Sequence, residues 1–134
     1  MADQARNKES LFSIHNTTKG KLPRLPFVQI KNAILGEQYE LSLVCIGNAR
    51  SRALNRQYRN KDYSTNVLSF PLSKSEGEIF LDLKKSKSEA PKFEMNYTTF
   101  IAYLFIHGLL HLKGHDHGPN MEALEKKFLK KFEF

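Results

Sequence analysis

Hydrophobic and polar positions along the chain alternate with two different periods, and the switches between them mark the elements. Leu11-Phe-Ser-Ile14 alternates weakly, as a short strand does, and Lys19-Gly-Lys-Leu-Pro23 reads as the turn that ends it. Phe27, Ile30, Ala33, Ile34 and Leu35 then recur at helical spacing, with Gly36 where a helix end favours a left-handed residue. The dense β-favouring run from Tyr39 to Ile46 predicts a strand. Gly47-Asn48 follows as a turn, with Asn48 as N-cap of a helix reaching about Tyr58.

Asn66-Val-Leu-Ser-Phe70 predicts a third strand closed by Pro71, and Glu78-Ile-Phe-Leu-Asp-Leu83 a fourth. From Asn96 to Leu112 the apolar density suits a mostly buried helix, capped by Asn96 and stopped by Gly114. A last helix opens after Pro119-Asn120, with Met121, Leu124, Phe128 and Phe132 as its apolar stripe. Its acidic residues, Glu122 and Glu125, come early and its lysines late, as the helix dipole prefers. The expectation is an α+β fold: one domain over residues 1–134, a small mixed sheet of about four strands, and a central buried helix.

Composition narrows the class. The 134 residues are 40% hydrophobic with ten Phe and five Tyr, enough for one packed core and too few for two. Twenty-one basic against fourteen acidic side chains give a net charge of +7, which favours polyanionic partners. A solvated lysine-rich surface would give the same number. Cys45 is the single cysteine, set among Leu41-Ser-Leu-Val-Cys-Ile46, so an intrachain disulfide is excluded and a buried, inert thiol is expected. The first ten residues hold no apolar targeting core, and the longest apolar stretch, Phe100 to Leu112, is broken by two His and a Gly. A cytoplasmic protein with no membrane partner is expected; the oligomeric state is not readable.

Most of the chemistry lies in His107-Gly-Leu-Leu-His-Leu-Lys-Gly-His-Asp-His117, which holds four of the five histidines. His107 and His111, four apart, leave one helix face one turn apart and can meet a single ion. Gly114 can then turn the chain so that His117 offers a third nitrogen. Three imidazoles around a tetrahedral ion leave a fourth position open, as in catalytic rather than structural zinc sites. Zinc in such a site lowers the pKa of its water toward roughly 7. The plain alternative is a chance cluster of packing and surface histidines. Asp116 can orient a ligand imidazole or cap the turn, and both readings stand. His15 is isolated and reads as structural or exposed.

The same histidine spacing occurs in zinc proteases whose general base is a glutamate directly after the first histidine. Here that position is Gly108, which argues against a peptidase. A second feature points to phosphate: Arg52, Arg56 and Arg59 fall at i, i+4 and i+7 of the helix beginning near Asn48, with Arg50 and Lys61 close by and Ala53, Leu54 and Tyr58 on the opposite side. Such a stripe can hold phosphates through forked hydrogen bonds, or it can be a solvated helix face. Thr65, Asn66 and Ser69 are candidate groove residues, Val67, Leu68 and Phe70 candidate core. Tyr63 and Tyr97 are candidate stacking platforms for single-stranded RNA.

His107, Gly108, Leu110, His111, Leu112, Gly114, Asp116 and His117 together resemble the signature His-Gly-x-Leu-His-Leu-x-Gly-x-Asp-His of the YbeY endoribonucleases, the ribosomal RNA maturation factors. The block from Leu54 to Pro71 and Gly77-Glu-Ile resemble two further segments of that family, and the likeness runs from about residue 39 to 128. It implies one zinc ion per chain on His107, His111 and His117, and a functionally important Arg59. It also implies cleavage of single-stranded RNA in ribosomal RNA maturation and ribosome quality control, with the ribosome or its proteins as partners. Position 115 is His where the family commonly carries Tyr, which makes His115 a candidate fourth ligand. Arg59 and Asp116 are the candidate catalytic side chains. The competing reading is an RNA-binding or ribosome-binding assembly factor whose metal is mainly structural.

Overall fold

The computed structural model describes residues 11–59 and 65–134, and of Arg59 only the backbone. Along the described chain run β1 (Phe12–Asn16), α1 (Phe27–Leu35), β2 (Glu40–Ile46), α2 (Asn48–Arg59), β3 (Val67–Ser73), β4 (Glu76–Asp82), α3 (Leu83–Glu89), a 3-10 turn (Ala90–Phe93), α4 (Tyr97–Leu112) and α5 (Pro119–Lys131). The strands form one sheet in the order β1-β2-β4-β3. β1, β2 and β4 are mutually parallel and β3 lies antiparallel to β4 at the edge. This is the α+β fold with a small mixed sheet that the sequence predicts.

Because strand side chains alternate between faces, each strand divides its apolar residues between two cores. Leu41, Leu43, Cys45, Ile79 and Leu81 point to the larger core, where Phe27, Ile30 and Ile34 of α1 and most of α4 cover them. Ile46, Leu68 and Phe80 point the other way, toward Leu54 of α2. Burying one such side chain contributes roughly 1.5–3 kcal/mol, so the larger core dominates. Nine residues of α4 are buried, from Phe100 to Leu110. A helix apolar nearly all round belongs inside the fold, and α4 is packed by the sheet, α1 and α5. Cys45 is fully buried, and burial pushes its thiol up to about 11, as an inert thiol requires.

The differences from the sequence reading are local. β3 runs through Pro71 to Ser73, because it is an edge strand and the pairing slips between these two residues, where a missing N–H is tolerated. β4 starts at Glu76 rather than Glu78. Leu83, expected to end that strand, instead opens α3. The Asp82 carboxylate caps this helix by accepting the Lys85 N–H at 3.0 Å. No apolar period announces α3, since only Leu83 and Ser86 of its seven residues are buried. Asn48 is the first residue of α2, not its cap: the Gly47 carbonyl already accepts the Ser51 N–H at 3.0 Å. Among the described residues, no helix is long and apolar enough to cross a membrane.

The predicted cap of α4 is present: the Asn96 side chain accepts the Thr99 N–H at 2.8 Å. Asn96→Ala is expected to lower unfolding free energy by about 1 kcal/mol. Urea denaturation checks this through the midpoint, with the slope unchanged.

Candidate metal centre

His107 and His111 occupy the last turns of α4 and are its half-exposed polar face. The helix then ends as the sequence predicts. Gly114 adopts φ of 106°, the His115 N–H reaches back to the Leu110 carbonyl at 3.0 Å, and the Gly114 N–H to that of His111 at 3.0 Å. That left-handed turn returns the chain over the helix end and brings the exposed His117 against the other two rings. The ring centroids are 4.5 Å apart for His107 and His111, 5.0 Å for His107 and His117, and 4.6 Å for His111 and His117.

Hydrogen bonding at the far nitrogens fixes what the near ones can do. A carbonyl oxygen only accepts, so His111 donates Nδ1–H to the His115 carbonyl at 3.0 Å. His107 donates Nδ1–H to the Glu125 carboxylate at 2.5 Å. The two Nε2 atoms face each other at 3.1 Å. With both rings neutral, each Nε2 carries a lone pair, and two lone pairs that close repel unless a proton or a metal ion lies between them. A tetrahedral zinc ion with Zn–N bonds of 2.0–2.1 Å sets its ligand nitrogens about 3.3 Å apart, close to this spacing. One ring nitrogen from each of the three histidines lies within 4.8 Å of the others. The donor set therefore fits a metal ion.

Glu125 is the residue that sequence reasoning missed. It reads as an early acidic residue favourable to the dipole of α5, yet its side chain is buried and turned onto His107. Burial, with the nearby Glu122 carboxylate, raises its pKa above the usual carboxylate value, opposed by His117 and His111. The signal was available. Glu125 falls at i+4 from Met121 and i−3 from Phe128, in the middle of the stripe that α5 packs inward, where an unpaired acid is not tolerated.

The other candidates are scattered. His115 supplies its backbone carbonyl to His111, and its ring is not in the three-histidine cluster. Asp116 is exposed and makes no hydrogen bond or ion pair among the described residues; the orienting carboxylate is Glu125. His15 is exposed. α2 packs on the sheet face opposite α4, and Arg52 and Arg56 are exposed on it. Ala53 and Tyr58, expected on the covered side of α2, are exposed, and the buried positions are Ser51 and Asn55. The Arg59 side chain, Lys61 and Tyr63 lie outside the described residues. Asn66 and Ser69 are engaged elsewhere: Asn66 donates to Glu89 at 2.7 Å, and Ser69 to the Gly108 carbonyl at 3.1 Å. Leu68 is core, as expected.

Gly108 sits where α4 presses on the sheet. A Cβ built there would lie 3.0 Å from both Ile79 Cδ1 and Ser69 Oγ, so a glutamate in the protease position would crowd both side chains. Gly108→Glu is therefore expected to cost more than about 2 kcal/mol through overpacking and a buried charge, read as a fall in thermal midpoint. Glu125→Ala should weaken the binding of added zinc by 10- to 100-fold in chelator competition, while Glu125→Gln, which keeps an acceptor for His107, loses less. Unchanged zinc affinity in the Ala variant would remove the orienting role.

Comparison with known proteins identifies the relatives. A family model described as endoribonuclease YbeY matches residues 5–133. Proteins called endoribonuclease YbeY are similar to this chain in several bacteria. That of Alkaliphilus metalliredigens is 35% identical over 100 residues, covering 66% of this chain and 64% of the relative. That of Oenococcus oeni is 31% identical over 76% of this chain and 71% of its own length. That of Paraburkholderia phytofirmans is 36% identical over 87% and 82%. The chain thus spans a little under two thirds of the first of these relatives. A Thermotoga maritima protein solved in solution superimposes with a TM-score of 0.62 at 25% identity, covering 89% of this chain and 88% of that one. With all but the first four residues and the last one matched by a single family model, the chain belongs to the endoribonuclease YbeY family.

Proposed function

We propose that this chain is a zinc-dependent endoribonuclease that cleaves single-stranded RNA in the cytoplasm, in the maturation of ribosomal RNA and the quality control of ribosomes. The carrying observation is the pair of facing Nε2 atoms 3.1 Å apart, with His117 beside them, in a member of a family named for RNA cleavage. An all-imidazole donor set suits zinc. No fourth His, Cys, Asp or Glu joins the three histidines among the described residues, which favours an open catalytic site over a closed structural one.

Bound at these histidines, zinc supplies Lewis acidity at the scissile phosphodiester. The protein's own residues do the rest. Glu125 and the His115 carbonyl hold Nδ1 of His107 and of His111, so that both Nε2 atoms are aimed at a common point. Arg59 neutralises charge on the phosphate, its delocalised guanidinium matching two phosphate oxygens. Asp116, exposed one residue before His117, exchanges the proton that the reaction moves. The +7 charge holds the polyanionic substrate and its ribosomal setting.

His111→Ala should lose both stoichiometric zinc and cleavage of single-stranded RNA, as measured by metal analysis and gel assay. Full cleavage by the zinc-free variant overturns the reading. Arg59→Ala should retain zinc and lose on the order of 10²-fold in cleavage rate, the usual effect of removing one transition-state donor.

A further inference from the structure

A cleft of about 650 Å³ opens where β1, β2 and β4 end, lined by the segment after β1, the junction of β2 with α2, the start of α3 and the first turn of α4. Topology puts it there. The chain leaving β1 passes through α1 on one face of the sheet, and the chain leaving β2 passes through α2 on the other. Parallel strands whose connections part to opposite faces leave a crevice at their carboxyl ends, the place where open sheets bind ligands.

The lining asks for two kinds of ligand group. Lys19, Lys21, Lys84 and Lys87 stand exposed around it. Among the described residues, none of their ammonium groups is in an ion pair. Asn48 and Tyr97, the first residues of α2 and α4, also line it, so the positive ends of a 12-residue and a 16-residue helix face the cleft with no acidic residue in either first turn. These groups call for an anion. Against them stands one carboxylate, Asp82, 1% exposed. Its Oδ1 caps α3, while Oδ2 is buried without a hydrogen-bond partner. An orphaned acceptor on a residue that lines the cleft calls for a hydrogen-bond donor on the same ligand. Between the two lie Ile46, Leu83 and the Tyr97 ring, which is fixed by its hydroxyl donating to the Lys21 carbonyl at 3.1 Å and by Lys87 Nζ 5.9 Å above it.

A phosphate, a hydrogen-bond donor and a flat apolar body together describe a nucleotide. We propose that this cleft binds one phosphorylated nucleoside, with its phosphate on the four lysines, its base against Tyr97 and a base or ribose donor toward Asp82. Ten residues of α4 separate Tyr97 from His107, about 15 Å at 1.5 Å per residue, so this site is distinct from the histidine cluster. That the nucleotide belongs to a bound RNA strand rests on the RNA-cleaving reading above; the chemistry of the cleft does not.

The test titrates the zinc-loaded full chain with adenosine 5′-monophosphate, adenosine and inorganic phosphate, following backbone amide shifts. The monophosphate should move the amides of Gly20, Gly47 and Thr98 saturably and bind at least tenfold tighter than adenosine. Lys84→Glu/Lys87→Glu, a change at two exposed side chains, should raise its Kd tenfold or more at unchanged zinc content. With a 2′-O-methylated RNA octanucleotide, the double variant should flatten the dependence of log Kd on log salt by about 0.7, the contribution of one phosphate. Loss of mononucleotide binding without that change in slope assigns the cleft to free nucleotides. Shifts confined to residues 107–118, or a variant Kd within twofold of the parent, overturn the site. A protein that binds nucleotide at Gly20 and Gly47 yet cleaves no RNA retains the cleft and loses the proposed activity.

Discussion

The centre depends on one geometric constraint: two imidazole Nε2 atoms held facing each other 3.1 Å apart. Nothing in the two rings themselves favours this. It is imposed from behind, by a carboxylate on α5 and a carbonyl in the turn after α4, each accepting the Nδ1–H of one ring and so fixing where its Nε2 points. A metal ion that takes both nitrogens fits this arrangement, so the fold prepares the donor set through the hydrogen bonds at its back. This also explains why α5, which carries no member of the cluster, belongs to the site. Met121 and its apolar neighbours dock the helix, and the docking places Glu125.

The same packing decides which chemistry is left. α4 approaches the sheet closely enough at Gly108 for Ser69 to reach the helix carbonyl there, and that approach leaves a side chain at the position tightly crowded by Ile79 and Ser69. In zinc proteases with this histidine spacing, the corresponding residue carries the base. The position that holds the base in those proteases is therefore empty of any side chain here, and Asp116 lies exposed on the turn beyond the helix. The open, solvent-facing side of the histidines suits a long flexible polymer, which can present one bond to a shallow site.

Much of this was legible in the sequence, for identifiable reasons. The four strands, the capped α4, Gly114 and the histidine triplet follow from local rules: side-chain period, capping chemistry, a positive φ, and i, i+4 geometry. What the sequence concealed is tertiary. α3 is short and lysine-rich and owes its start to the Asp82 cap rather than to an apolar stripe. Glu125 looked like a dipole partner until the docked face of α5 was known. The arginine stripe was read as holding phosphate or as a solvated face, and Arg52 and Arg56 are exposed as either requires; periodicity does not say which face of a sheet a helix will cover, and α2 covers the face opposite α4. The partner of His111 could not be read at all, because it is a backbone carbonyl.

α4 links the two chemistries of the molecule. Its N-terminal end faces the lysine cleft and its C-terminal end carries the histidines. A helix buried on almost every side is too well packed to bend or slide, so the distance between these places is fixed at about 15 Å or a little more. Two sites on one rigid rod act on a flexible strand as a single geometric selection. A chain able to span the gap engages both, and the second contact becomes intramolecular with a gain in effective concentration. On the two proposals made above, a flexible single strand reaches both places at little elastic cost, and the spacing along α4 sets how much of the strand lies between them.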